Sequence, residues 1–109
     1  MPLPDLTPAQ LHARLLAHDD LQLVDVREDV EFAFCHLPGS LLLPLGELPR
    51  RAAAEIRRTG PVVLICHHGV RSAQALNYLQ QRLGYDNVLN LRGGIDAWSQ
   101  QVDAGVPRY

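Results

Sequence analysis

One run of the chain gathers the side chains able to do covalent chemistry: Cys66-His67-His68-Gly69-Val70-Arg71, with Ser72 directly after it. The thiol is the candidate nucleophile, active as its thiolate. A loop this short can curl so that successive backbone N–H groups converge on one centre and form an anion nest. Gly69 removes a Cβ where the loop needs an unusual dihedral or a close backbone approach. A following helix would add the partial positive charge of its N-terminus, and Arg71 a full one; both favour thiolate over thiol. His67 or His68 could donate to an anionic substrate or move a proton near neutral pH, but adjacent side chains usually diverge, so neither is assigned as a general base. Solvated loop histidines are an equal reading of both. A tight Cys-His-His run cannot readily wrap three ligands around one tetrahedral ion, so no metal site is expected. The competing reading of Cys66 is a small buried residue finishing a strand, and the loop favours the nucleophile over it.

The rest of the composition narrows the chemistry. With 109 residues, 47% of them hydrophobic, the chain is long enough for one core, and a single domain over residues 1–109 is expected. All 10 basic residues are arginine, so a Schiff-base lysine, a buried amine base and a phosphate-loop lysine are excluded. A formal net charge of -2 without a dense basic run argues against nucleic acid as a partner. Met1 to Gln10 lacks the pattern of a secretory signal and no apolar run reaches bilayer length, so no membrane partner and a cytoplasmic location are expected. The two cysteines, Cys35 and Cys66, form no CxxC pair and suit a reducing compartment.

The loop needs elements to hold it. Thr7-Pro8 signals a helix start, with Leu11, Leu15 and Leu16 turned inward and an end before Asp19-Asp20. Leu21 to Val26 reads as a strand delivering Asp25 and Arg27 to its C-terminal end. Val30 and Phe34, four apart, make one apolar face of a short helix that the Pro38-Gly39 turn stops. Leu41 to Leu45 is expected as a short strand broken by Pro44, and Leu48, Ala52 and Ile56 are spaced for a helix whose arginines face water. Val62 to Ile65 has no polar face, as a central parallel strand requires, and Cys66 follows it directly. Leu76, Leu79 and Leu83 mark the next helix, with Ser72 as N-cap and Gly84 as stop. Asn87 to Leu91 is the last strand, Gly93-Gly94 a turn, and a short helix follows with Ile95 and Trp98 inward. This alternation predicts an α/β fold, a mostly parallel central sheet flanked by helices in three layers. Ligands of such folds bind beyond the carboxyl ends of the strands, where Cys66 lies.

Three segments together resemble the single-domain rhodanese-like sulfurtransferases: "LVDVREDVEFAFCHLPGSLLLPLGEL", "VVLICHHGVRSAQALNYL" and "GYDNVLNLRGGIDAW", in that order over nearly the whole chain. The resemblance implies a sulfurtransferase without cofactor, in which Cys66 takes a sulfane sulfur from a donor such as thiosulfate. The resulting persulfide passes its outer sulfur to a thiophilic acceptor, a small molecule or a protein thiol. It implies that the amides of His67 to Ser72 stabilise the anionic persulfide, and that His67, His68, Gly69, Val70, Arg71 and Ser72 make the substrate-binding loop. Tyrosine-type phosphatases use C-x5-R, whereas this chain has C-x4-R and no matched aspartic general acid; the smaller ring of amides suits one sulfur better than a phosphate. A protein-binding or sulfur-carrier module without free-standing turnover is the alternative. The resemblance also places Asp25, Arg27 and Glu31 in an ion-pair network holding the fold, His36, Pro38 and Gly39 in turn architecture, and Gly93, Gly94 and Trp98 in packing near the site. Cys35 stands where the family motif has glycine, either as a tolerated side chain or as a second thiol able to resolve the persulfide as a disulfide.

Overall fold

The computed structural model describes residues 4–109 and contains one five-stranded sheet, all parallel. The strands are β1 (Asp5–Leu6), β2 (Gln22–Asp25), β3 (Leu41–Leu42), β4 (Val62–Ile65) and β5 (Val88–Leu91), ordered β1-β5-β4-β2-β3. Helices α1 (Pro8–Leu16), α2 (Asp29–Phe34), α3 (Leu48–Glu55), α4 (Val70–Leu83) and α5 (Gly94–Gln101) alternate with them, and one 3-10 turn spans Leu45–Glu47.

The central strand shows why this pattern folds as layers. Successive strand side chains point to opposite faces. Val62, Leu64 and Cys66 therefore join Ala52, Leu76 and Leu79 of α3 and α4 in one core, while Val63 and Ile65 join Leu11, Ile95 and Trp98 of α1 and α5 in the other. From β2 the chain runs outward to β3 on one side; from β4 it runs to β5 on the other. The connections after β2 and β4 thus diverge at the carboxyl edge of the sheet, the switch point where open α/β sheets bind ligands. Arg27 and Cys66 leave the sheet there.

Local chemistry sets the helix ends. Thr7 Oγ1 accepts from the Gln10 N–H at 3.1 Å while Gln10 Oε1 accepts from the Thr7 N–H at 2.8 Å, a reciprocal cap on α1. Gly84, with φ +71°, stops α4 in the left-handed conformation.

Several expectations are corrected. β1 was not foreseen; two residues paired to β5 carry no periodicity. Strand β3 ends at Leu42, before Pro44, and α3 ends at Glu55 with Ile56 buried beyond it. Leu16 is exposed, because α1 ends there and only Leu11 and Leu15 lie over the sheet. Val30 and Phe34 are 78% and 56% exposed: α2 sits above the strand ends, and the side it turns to the protein carries Glu31. Ser72 is not an N-cap; α4 begins two residues earlier, at Val70.

Candidate active site

Cys66 is buried at the end of β4, and α5 fixes the peptide groups around it. The Ile95 N–H donates to the Cys66 carbonyl at 2.8 Å and the Asp96 N–H to the His67 carbonyl at 3.0 Å. The C=O and N–H of a trans peptide point opposite ways, so anchoring these carbonyls turns the N–H groups of His67 and His68 away from α5. Gly94 makes the approach possible: its φ is +64°, and a Cβ there would collide with both carbonyl oxygens. Gly69, at φ +101°, then turns the chain into α4 and donates its N–H to Cys66 Sγ at 3.0 Å. The first amides of α4 have no acceptor within the helix and add its positive dipole end to the same region. Ser72, in that first turn, places its hydroxyl oxygen 3.3 Å from Sγ and donates to Asn90 Oδ1 on β5.

Arg71 is turned toward α2. It holds Glu31 in a two-pronged pair, Nη1 to Oε1 at 2.6 Å and Nη2 to Oε2 at 2.8 Å. These bonds outweigh partial burial and hold the Glu31 carboxyl down at about 2. The full positive charge expected of Arg71 is therefore spent within an ion pair that ties α4 to α2. The two histidines, expected to diverge, face one another with ring centroids 3.9 Å apart. Burial, with the neighbouring His68, pushes the His67 pKa below the ordinary histidine value. His68 is exposed, its Nδ1 3.7 Å from Asp96 Oδ2.

Between α4 and β5 lies an open cleft of about 560 Å³ that brings together His68, Gly69 and Val70 with Gln74, Asn90 and Arg92. The seven sequence-predicted residues thus divide. Cys66, Gly69 and Ser72 meet at the sulfur; His68 and Val70 stand with Gly69 at the cleft; His67 is covered by Tyr109; and Arg71 faces the other way.

Beside the loop, Asp25 and Arg27 form a fully buried pair at 2.7 Å, as the expected structural network requires. Tyr109 joins that pair to the Glu31–Arg71 pair: its hydroxyl accepts from Arg27 Nη1 and donates to Glu31 Oε2, each at 2.8 Å. Neither Tyr109 nor Asn90 was foreseen. Asn90 left one signal, a polar residue inside an apolar strand run; Tyr109 left none. Of the two readings of Cys35, its place favours the tolerated side chain over the resolving thiol: it belongs with Ile65 and Leu91 to the core opposite to that of Cys66, and its Sγ meets the Pro107 carbonyl at 3.5 Å. Both cysteines are free.

A parallel α/β sheet presenting a cysteine in an amide-lined loop at its switch point defines a recognisable class of protein. The chain belongs to the rhodanese-like domain family, whose model matches residues 7–101. It is 43% identical over 103 residues to a protein named sulfurtransferase from Allochromatium vinosum, covering 94% of this chain and 92% of that one. It is 33% identical over 105 residues to a probable adenylyltransferase/sulfurtransferase, MoeZ, of Mycobacterium tuberculosis, covering 95% of this chain and 26% of that larger protein. Among solved structures, a rhodanese-like domain protein from Staphylococcus aureus superposes with a TM-score of 0.82 at 31% identity, over 98% of this chain and 99% of that one. Sulfur transfer is the chemistry these relationships support at the level of the family.

Proposed function

We propose that this protein is a rhodanese-type sulfurtransferase that carries sulfane sulfur on Cys66. The observation that carries the reading is the sulfur's setting: a buried Cys66 Sγ at a switch point, met by the Gly69 N–H at 3.0 Å at the start of a long helix. In the first half-reaction the Cys66 thiolate attacks the outer sulfur of a donor such as thiosulfate. The new S–S bond forms as the donor's own S–S bond breaks, and sulfite leaves with that electron pair. In the second, a thiophilic acceptor attacks the outer persulfide sulfur and Cys66 departs as thiolate. Backbone amides of the loop and of the α4 N-terminus stabilise the anionic persulfide. His67, His68 and Val70 shape access, and Arg71 holds the loop through Glu31. The cycle needs no cofactor and operates in a reducing, cytoplasmic setting, consistent with the two free cysteines.

A protein thiol as acceptor is favoured by the surface around the loop. Val70 is 67% exposed at the α4 start, and Phe34, 56% exposed, packs edge-on against Tyr109, which covers His67. Such apolar groups beside a site suit a macromolecular partner.

Protein incubated with thiosulfate and desalted should gain about one sulfur mass (~32 Da, one covalently held atom), and Cys66→Ala should gain none. Equal gain in the mutant overturns the assignment. Sulfur delivered to protein thiols but not to cyanide would identify a dedicated carrier.

A further inference from the structure

We propose that Asn90 is a positioning residue for the Cys66 sulfur, acting through the single hydroxyl hydrogen of Ser72. The proposal rests on Cys66 being the working sulfur and deepens that reading. Ser72 is fully buried, and its hydroxyl has one hydrogen to give. That hydrogen goes to Asn90 Oδ1, so the oxygen 3.3 Å from Sγ presents a lone pair to the sulfur. This arrangement suits a thiol, whose S–H can point at Ser72. It opposes a thiolate, which has no hydrogen and needs one.

When Cys66 loses its proton to solvent, the Ser72 hydrogen must turn to the sulfur. Asn90 Oδ1 then loses its donor, and Ser72 Oγ has a free lone pair in a buried site. One rotation of the Asn90 amide repairs both losses by bringing Nδ2–H onto Ser72 Oγ. An amide carries an acceptor and a donor on one group, and so serves the chain in either polarity. Such a rotation exchanges two atoms of similar size within the space the amide already fills. Asn90 lines the cleft beside Gly69, and its Nδ2 lies 3.7 Å from where a Gly69 Cβ would stand. Asn90 thus couples the cleft to the charge of the sulfur without touching it. The other charged or titratable groups around the sulfur and Asn90 are the Arg71–Glu31 pair, the Asp25–Arg27 pair at the end of β2 with Tyr109 between the two pairs, His67 in the loop, His68 beside Asp96, and Arg92 paired with Asp5 at the cleft; none is altered in the test.

The test is the pH profile of Cys66 alkylation by iodoacetamide, alongside circular dichroism as a control on folding. In Asn90→Asp the carboxylate accepts the Ser72 hydrogen in every state and donates nothing. The alkylation midpoint should rise by about one pH unit or more, a roughly tenfold slower reaction below both midpoints. In Asn90→Ala it should stay within about half a unit of the native value. In a Ser72→Ala background the Asn90→Asp shift should fall to less than half. An unmoved midpoint in Asn90→Asp, an equal rise in Asn90→Ala, or a shift undiminished in the Ser72→Ala background each overturns the relay, the last by reducing it to through-space charge. Should Asn90→Asp not fold, the native protein carries the test. Its Asn90 side-chain amide resonances should shift through the alkylation midpoint and shift far less in Ser72→Ala; resonances that stay fixed in the native protein overturn the proposal. Alkylation reads the thiolate directly, so failure of the relay leaves sulfur loading from thiosulfate intact. Failure of loading leaves the alkylation profile intact.

Discussion

Tyr109 lies face to face with His67, ring centroids 3.9 Å apart and planes 6° from parallel, while its hydroxyl is held between Arg27 and Glu31. One aromatic side chain therefore covers a histidine of the active-site loop and bridges the two ion pairs beneath it. Burial is the leading reason the His67 pKa falls below its ordinary value, with His68 next, while a backbone hydrogen bond with Tyr109 works the other way; the stacked Tyr109 ring is part of the cover that buries His67. A histidine whose folded pKa is depressed favours its neutral form, so its contribution to stability is complete above the unfolded value and diminishes as pH falls below it. Tyr109→Ala should raise the His67 titration midpoint, followed by NMR, toward about 6.5. A midpoint that does not move would show that the loop alone buries the ring.

Gly94 is the residue through which α5 grips the cysteine loop. A Cβ there would strike the Cys66 and His67 carbonyls, and the backbone already lies at φ +64°. Gly94→Ala should cost about 2–4 kcal/mol in denaturant unfolding, combining left-handed strain with a backbone clash. It should also slow sulfur loading of Cys66 by at least about tenfold, since the amides would no longer be aimed. Gly39 has a similar φ, +81°, but nothing within 4 Å of its missing Cβ. Gly39→Ala should cost only about 1–2 kcal/mol of strain and leave loading unchanged. Equal effects at the two glycines would remove the special role of Gly94.

What the sequence made legible was whatever leaves a local pattern. Val62 to Ile65, apolar on both faces, announced the central strand and therefore the place of Cys66. Thr7 announced the α1 cap, and Gly69 the turn. What it hid depends on contacts between distant segments. Tyr109 reaches Arg27 across 82 positions of chain, and no spacing rule links them. Val30 and Phe34 have helical spacing, but spacing cannot tell a face turned to a core from one turned to solvent. Arg71 was legible as a cation beside the cysteine; that its charge is committed to Glu31, 40 positions away, was not.

That commitment has a pH signature. Bonds from Arg71 lower the Glu31 carboxyl to about 2 from an ordinary value of 4.5. A depressed carboxyl contributes stability that is fully present above the unfolded value and is lost as pH falls through the folded one. The window is thus pH 4.5 down to about 2. Both partners retain some solvent contact, so about 1–3 kcal/mol is expected after screening. Glu31→Gln should lose this amount at neutral pH and show a flatter acid limb, measured by urea unfolding at several pH values. Parallel acid limbs in native and mutant protein would contradict it.

The Asp25–Arg27 pair should behave differently, because it is sealed from water. Arg27 gives Nε to Asp25 Oδ1 at 2.9 Å and Nη2 to Oδ2 at 2.7 Å, and its remaining donors reach the Cys35 carbonyl and Tyr109. The pair is satisfied as it stands, and removing one member strands the other. Asp25→Ala should therefore cost about 3–5 kcal/mol, well above the loss at Glu31. The charge that remains is the reason for the cost, so Asp25→Ala with Arg27→Met should recover part of it. The recovered protein would still lack the hydrogen bonds to Cys35 and Tyr109, and α2 would be less firmly held over the strand ends. A double-mutant cycle in urea measures the coupling between the two residues. Additive losses would mean that Arg27 reaches water once Asp25 is gone, and that the buried pair does not hold the connection after β2 against the cysteine loop.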